Sequence, residues 1–111
     1  MFANTPNPPY YAVIFSSIRS KGDKGYTKMA KLMEELASVQ PGFLGIESAK
    51  EGLGITVSYW KDLNSIKLWR ENIHHQAAQK QGKKVWYKYY KIRIANVERE
   101  YESSQGITPL P

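Results

Sequence analysis

Few side chains in this sequence could carry chemistry. They are His74 and His75, the indoles of Trp60, Trp69 and Trp86, and the hydroxyls of Ser16, Ser17 and Ser65. Cysteine is absent, which excludes disulfides, thiolate metal sites and a cysteine nucleophile. His74 and His75 are neighbours, so on a helix they point about 100° apart and cannot both line one site. No nearby cluster completes a zinc set, so no metal site is expected. Ser16-Ser17 lacks a His-Asp partnership for nucleophilic catalysis. Gly52-Leu53-Gly54 is not followed by a helix, so it is not a phosphate loop. What remains is an imidazole with a reference pKa near ~6.5, able to act as base or donor at neutral pH. Trp60 and Trp69 could supply flat apolar walls beside it. Trp69 also sits on the stripe Leu63-Ile66-Trp69-Ile73, where plain core packing explains it equally well.

Positioning these groups takes one domain. The chain has 111 residues, 41% of them hydrophobic and 13% aromatic, enough for a packed core. The net charge is +6, which invites a nucleic-acid reading. Lys80, Lys83, Lys84, Lys88, Lys91 and Arg93 do cluster, but Glu98 and Glu100 follow and no nucleic-acid motif is present. A solvated basic face accounts for the same residues, and no nucleic-acid partner is expected. No apolar run approaches the ~18–20 residues of a membrane-spanning helix. The first residues carry neither the basic nor the apolar region of a signal peptide, so a cytoplasmic location without a membrane partner is expected.

Proline and small polar residues mark 1–9 as a flexible N-terminal tail and 102–111 as a C-terminal tail, leaving 10–101 as the folded unit. Tyr10 to Ile18 is apolar at nearly every position, which predicts a strand covered on both faces. Tyr26, Met29, Leu32, Met33 and Leu36 fall at helical spacing, and Gln40-Pro41-Gly42 ends that helix. Phe43–Ala49 and Leu53–Trp60 read as two strands joined by a turn at Glu51-Gly52. Asp62 stands where an N-cap belongs, and a second helix, either continuous or broken near Asn72, is predicted to run on towards Tyr87. The last strand is expected over about Tyr89 to Tyr101. Its apolar phase flips, from Tyr90, Ile92 and Ile94 to Ala95, Val97 and Tyr101. That predicts a bulge near Ala95–Asn96, or two halves packing against different surfaces, in a strand that leaves its own sheet.

The order β-α-β-β-α-β is the α+β, ferredoxin-like split βαβ arrangement, a four-stranded antiparallel sheet with helices on one face. Two helices cover one face only, yet the first strand is apolar on both. The other face must meet a partner subunit or an enclosed ligand, and a two-fold homodimer with facing sheets is the simplest closure.

Several ordered motifs resemble the antibiotic biosynthesis monooxygenase family. They are Gln40-Pro41-Gly42-Phe43-Leu44-Gly45, Ser58-Tyr59-Trp60-Lys61-Asp62-Leu63 with Ile66-x-x-Trp69, and His75-x-Ala77-Ala78-Gln79-x-x-Gly82-x-x-x-Trp86-Tyr87. The closing Tyr90-x-Ile92-x-Ile94-x-x-Val97-Glu98-Arg99 extends the likeness over most of 10–101. The resemblance implies a dimeric α/β barrel. It also implies one of several activities: oxidation of aromatic polyketides by dioxygen without metal or flavin, haem binding and degradation, or no established reaction. In the haem-degrading relatives a histidine ten positions after the helix tryptophan holds the iron. Here Trp69 matches the tryptophan, but Gln79 stands at the ligand position and Phe15-Ser16-Ser17 offers no first-strand asparagine. Against the polyketide-oxidising relatives, Trp69 matches again, His75 falls near a tyrosine position and Ser65 near an asparagine.

Taken together, the expected function is cofactor-independent oxidation of an aromatic or electron-rich small molecule by dioxygen. His75 and Trp69 are the expected catalytic residues, and Trp60, Phe15, Ser17 and Ser65 the substrate-binding ones. Haem binding or a non-catalytic small-molecule module on the same scaffold are the alternatives. An apolar hollow between sheet and helices, beside Trp69, is expected in each subunit.

Overall fold

In the computed structural model, residues 2–23, 25–79 and 86–103 are described, without the side chains of 74–79. The elements run β1 (Tyr10–Arg19), α1 (Tyr26–Ser38), β2 (Phe43–Glu51), β3 (Leu53–Trp60), α2 (Leu63–Gln79) and β4 (Tyr87–Val97). They form one antiparallel sheet in the order β2-β3-β1-β4 with two helices, the ferredoxin-like arrangement. Turn chemistry sets several of the boundaries. Asp23 accepts hydrogen bonds from the Gly25 and Thr27 amides at 3.1 Å and so starts α1. Those bonds, together with one from the Thr27 hydroxyl, hold its carboxyl below the usual carboxylate range. Gly52, at φ +76°, makes the tight β2–β3 turn. Asp62 caps α2 as expected, accepting from the Ser65 amide at 2.8 Å and the Ser65 hydroxyl at 2.7 Å.

Register assigns every strand residue to a face, because directly paired residues point the same way. Trp60 stacks on Trp69 of α2, so the face bearing Trp60 is the helix side. Tyr11 pairs with Trp60, Val13 with Ser58 and Phe15 with Thr56, which places alternate β1 residues there. Tyr10, Ala12, Ile14, Ser16 and Ile18 point to the opposite, open face. Strand β1 is therefore apolar on both sides because it is central, with a helix layer over only one of them.

Strand β4 departs from expectation. It ends at Val97 rather than Tyr101, and it pairs with β1 along its length instead of leaving the sheet. The register runs unbroken through Ala95 and Asn96, and the irregularity lies between Ile18 and Arg19, near the start of β4. The flip in apolar phase is a change of face within a regular strand, so of the two expected readings the bulge is absent and the two halves facing different surfaces is what the register shows. Ile92 and Ile94 lie opposite Phe15 and Val13 on the helix side, whereas Ala95 and Val97 lie opposite Ala12 and Tyr10 on the open face. The helix prediction needs correcting too. Strand β3 leads into an α2 that is the continuous form, running through Asn72 to Gln79; the expected continuation towards Tyr87 lies outside the described residues up to 85, and Tyr87 itself begins β4. Leu63 is 53% exposed, so the inward stripe of α2 is Ile66, Trp69 and Ile73 without it. No helix among the described residues is long and apolar enough to cross a membrane.

The N-terminal segment lies against the open face. The Ala3 amide donates to Glu47 at 2.7 Å, and the Thr5 hydroxyl donates to Glu100 at 2.9 Å. Gly45 has no side chain where Ala3 crosses, and a Cβ there would come within 2.8 Å of the Ala3 Cβ. This strap, with the sheet residues under it, leaves Tyr10 and Ala12 each only 4% exposed.

Candidate functional site

Two turns build the best-packed part of the helix side. Gly42, at the end of the α1–β2 turn, accepts a hydrogen bond from the Lys61 amide at 2.7 Å. Its α-carbon lies against Ser65 in the first turn of α2. That contact brings Phe43, Trp60 and Trp69 together. Phe43 meets Trp60 edge-on with ring centroids 5.4 Å apart. Trp60 and Trp69 lie 6.1 Å apart at 25°, an offset stack. Trp60 is fully buried, and its indole N–H donates to the Ser58 hydroxyl at 2.9 Å, so its polar atom is satisfied. Trp69 is half-buried.

A second aromatic group lies at the other end of the same side. Phe15 meets Tyr87 edge-on at 5.2 Å and stacks on Tyr90 at 5.5 Å. Tyr26 meets Tyr87 at 5.6 Å, and the Arg19 guanidinium lies 3.4 Å over the Tyr26 ring. Burial, then the contact with Tyr26, pushes the Tyr87 phenol above its ordinary pKa, so it stays protonated at neutral pH. Between the two aromatic groups the floor is apolar and open on the β4 side. Val13 is half-buried there, while Ile92 and Ile94 are 49% and 47% exposed.

The expected site residues divide between these places. Trp60, Trp69 and Ser65 are together. The Ser65 hydroxyl donates to Asp62 and packs on Gly42, so its donor is committed to the helix cap. Phe15 and Ser17 face the helix side but begin two register rows from Trp60, about 13 Å away at strand spacing. They belong with the tyrosine group and do not touch the indole pair. Ser17 is 6% exposed beneath Gly54. His75 falls in α2, and its side chain lies outside the described residues, as does that of Gln79.

Two surface depressions lie away from Trp69, so neither is the hollow expected beside it. One surface depression is lined by Pro8 and residues 98–101. Another, of about 280 Å³, lies on the open face among Ile18, Leu53, Tyr89, Lys91 and Arg93. No group of three or more His, Cys, Asp or Glu suited to a metal ion occurs among the described residues.

Reasoning from sequence missed a polar cluster on the open face. The Tyr59 hydroxyl donates to Glu47 at 2.7 Å, and Tyr10, 5.8 Å from Tyr59, donates to Glu100. Hydrogen bonds from Tyr59 and the Ala3 amide hold the Glu47 carboxyl below its ordinary range. Burial, followed by the bond to Glu47, pushes Tyr59 up, and burial with the bond to Glu100 does the same for Tyr10. Because the folded pKa of Glu47 is depressed, its contribution to stability is present above the unfolded carboxylate value of about 4.3 and is lost as pH falls through the folded value. Glu47→Gln is expected to flatten the acid limb of a stability-against-pH curve measured by urea unfolding, with neutral-pH stability reduced. An acid limb identical to that of the native chain would show that these bonds contribute nothing.

Comparison with known proteins places this architecture. The sequence model for antibiotic biosynthesis monooxygenases matches residues 9–81, most of the chain. The chain belongs to the antibiotic biosynthesis monooxygenase family. The match agrees with the resemblance carried by the Pro41-Gly42-Phe43 turn and the Trp60-to-Trp69 segment, the parts that build the indole pair. An uncharacterized protein of Bacillus subtilis (strain 168), YqjZ, is 53% identical over 100 residues, covering 88% of each chain. The crystal structure of PA3566 from Pseudomonas aeruginosa superposes with a TM-score of 0.62 over 86% of this chain and 99% of that one. At 13% identity that likeness speaks to the fold alone. Antibiotic biosynthesis monooxygenase domains are usually dimeric.

Proposed function

We propose that the protein is a homodimeric, cofactor-independent monooxygenase acting on an aromatic or otherwise electron-rich small molecule. The observation that carries this reading is the stacked Trp60–Trp69 pair, with Trp69 half-buried on the side of the sheet that also bears Val13, Ile92 and Ile94, in a chain of this family. A planar phenol lies flat on the free surface of Trp69, over a floor of Val13, Ile92 and Ile94. The tyrosine group around Phe15 bounds the far end, and Ser17 lies beneath it. His75, six residues after Trp69 in α2, is the proton acceptor in this reading, a role that rests on its sequence position. Deprotonation gives an electron-rich anion that reacts with dioxygen directly. Oxygen adds at the ring carbon para to the phenolate oxygen, and that carbon loses its hydrogen as the O–O bond breaks, so the phenol becomes a quinone. One oxygen atom stays in the product and the other leaves as water, so no external reductant enters the balance. Donors in low dielectric stabilise the oxyanion as it develops. Haem has no place in this scheme, and a glutamine at the position of the relatives' iron ligand argues against it.

A binding titration tests the site. A polycyclic phenol is expected to quench tryptophan fluorescence in the native chain, and Trp69→Ala is expected to weaken binding about tenfold or more, the loss of one stacked aromatic contact with its buried area. Unchanged affinity in Trp69→Ala would remove the indole from the site. A Soret shift on adding haem to the native chain would favour a haem protein instead.

A further inference from the structure

The helix side of the sheet changes character at the end remote from Trp60. One transverse row there runs Lys50, Gly54, Ser17 and Tyr90 across all four strands. Gly54 leaves a niche in that row. A Cβ on Gly54 would stand 3.5 Å from the Ser17 hydroxyl oxygen and 3.8 Å from the Lys50 Cγ, ordinary contact distances, so a small group fits between them. Ser17 is 6% exposed, and its hydroxyl makes no hydrogen bond to another described residue. A hydroxyl so far out of water normally has a partner. Two cations stand over the same end. The Arg19 guanidinium lies 3.4 Å and the Lys50 ammonium 5.7 Å from the centre of the Tyr26 ring. Arg19 donates to the Trp86 and Gly22 carbonyls at 2.8 and 3.2 Å, which are neutral acceptors. Neither cation is in an ion pair with a carboxylate of the described residues. Asp23 is near enough to feel the charge of Arg19, but its oxygens accept from Gly25 and Thr27.

Two positive charges and an unpartnered, buried hydroxyl suit a carboxylate. Each of its two oxygens accepts from more than one donor. One oxygen can take the Ser17 hydroxyl in the Gly54 niche and the other the Lys50 ammonium, with Arg19 adding charge beside them. Hydrogen bonds between ionised partners are shorter and about twice as strong as neutral ones. The rings next to this row are apolar and flat. Tyr90 belongs to the row itself, and Phe15 stacks on Tyr90 one step nearer Trp60. Val13 and Ser17 stand four residues apart on the same face of β1, about 13 Å at strand rise, which a linear three-ring acid spans. A flat molecule resting against Trp69 and over Val13 therefore brings its remote end to Lys50 and Ser17.

We propose that the substrate is an aromatic acid, with its phenol end at Trp69 and its carboxylate held by Lys50, Ser17 and Arg19 at the Gly54 niche. The proposal rests on the reading of the Trp69 site above and adds the charge of the substrate and the end at which that charge sits.

A matched pair of ligands tests it. Isothermal titration calorimetry compares a hydroxyanthracene carboxylate, with the two groups at opposite ends of the ring system, against its neutral methyl ester. Both are titrated into the native chain, Lys50→Gln, Gly54→Ala and Trp69→Ala, with far-UV circular dichroism confirming the fold of each. Lys50 is exposed, and a Cβ on Gly54 meets its neighbours at ordinary contact distances, so neither of those substitutions threatens the fold. The native chain is expected to bind the acid about tenfold or more tighter than the ester, the gain from charge-assisted hydrogen bonds. Lys50→Gln, which removes the charge, and Gly54→Ala, which fills the niche, are each expected to lose that preference, and Lys50→Gln to leave the affinity for the ester unchanged. Trp69→Ala is expected to weaken both ligands and keep the preference. Equal affinity for acid and ester in the native chain overturns the carboxylate subsite, as does a preference that survives in both Lys50→Gln and Gly54→Ala. A preference lost in Lys50→Gln, with both affinities untouched by Trp69→Ala, overturns the Trp69 reading on which the proposal rests and leaves the subsite standing.

Discussion

Trp60→Ala is expected to destabilise the chain by about 3–5 kcal/mol, the range for truncating a fully buried indole. Trp60 is completely inaccessible to solvent and is held by Phe43 on its edge, Trp69 on its face and the Ser58 hydroxyl at its N–H. Truncation removes the largest buried side chain of the described residues and opens a cavity that two rigid rings border, so collapse around it is limited. It also leaves the half-buried Trp69 without its stacking partner. Urea unfolding at neutral pH measures the loss. Small domains have only about 5–15 kcal/mol of stability to lose, so a partly unfolded variant at room temperature is within the expected range. A loss below about 1 kcal/mol would mean that the indole pair does not anchor the helix side, since small costs belong to sites that are exposed or readily repacked.

Gly42→Ala is the second large effect, although it adds a single methyl group. Two costs combine. Gly42 has φ +84°, a left-handed conformation that costs an L-residue about 1–2 kcal/mol. A Cβ at this position would come within 2.1 Å of the Ser65 Oγ. Relieving that overlap typically costs about 1–3 kcal/mol. The Ser65 hydroxyl cannot turn away freely, because it donates to Asp62 as part of the α2 cap. Pairing the substitution with Ser65→Ala separates the two terms. The double variant keeps the backbone strain, and its overlap is reduced. Unfolding midpoints are expected to rank native, then the double variant, then Gly42→Ala alone. Equal midpoints for native and Gly42→Ala would show that the two turns do not touch as described.

Much of the fold is legible in the sequence because period and turn chemistry agree. The apolar spacing from Tyr26 to Leu36 gives α1, and the pattern from Leu53 to Trp60 gives β3, both with the observed bounds. Asp62 is readable as a cap because a carboxylate precedes a helical stripe. The two-sided burial need of β1 is readable from its unbroken apolar run, and that run points to the uncovered face. Strand β4 is harder to read. A change of apolar phase looks like a bulge when only one face of a strand is imagined buried. In the structure the strand is regular, with Ile92 and Ile94 on the helix side and Ala95 and Val97 on the open face.

The candidate site is less legible for a related reason. Trp60 and Trp69 are close in sequence, and a strand end leading into a helix brings them together. Phe15 lies on the correct face, but only the pairing register shows how far along the strand it stands from Trp60. The Tyr59–Glu47 bond joins two strands across a position where Gly45 has no side chain. Its one signal in the sequence is that Gly45, Glu47 and Ala49 alternate onto the face shared with Tyr59. The row from Lys50 to Tyr90 requires three registers in succession, and no pattern within any one strand contains it.

Oxidation by dioxygen without a resident cofactor is read out by oxygen uptake. Purified chain, treated with chelator and free of flavin and haem absorbance, is mixed with polycyclic phenols in an oxygen-electrode cell. The expected uptake depends on the protein, falls sharply in both His75→Ala and Trp69→Ala, and places one atom of heavy-isotope dioxygen in the product. Uptake absent with every such phenol, or undiminished in the His75→Ala, Trp69→Ala double variant, would contradict it.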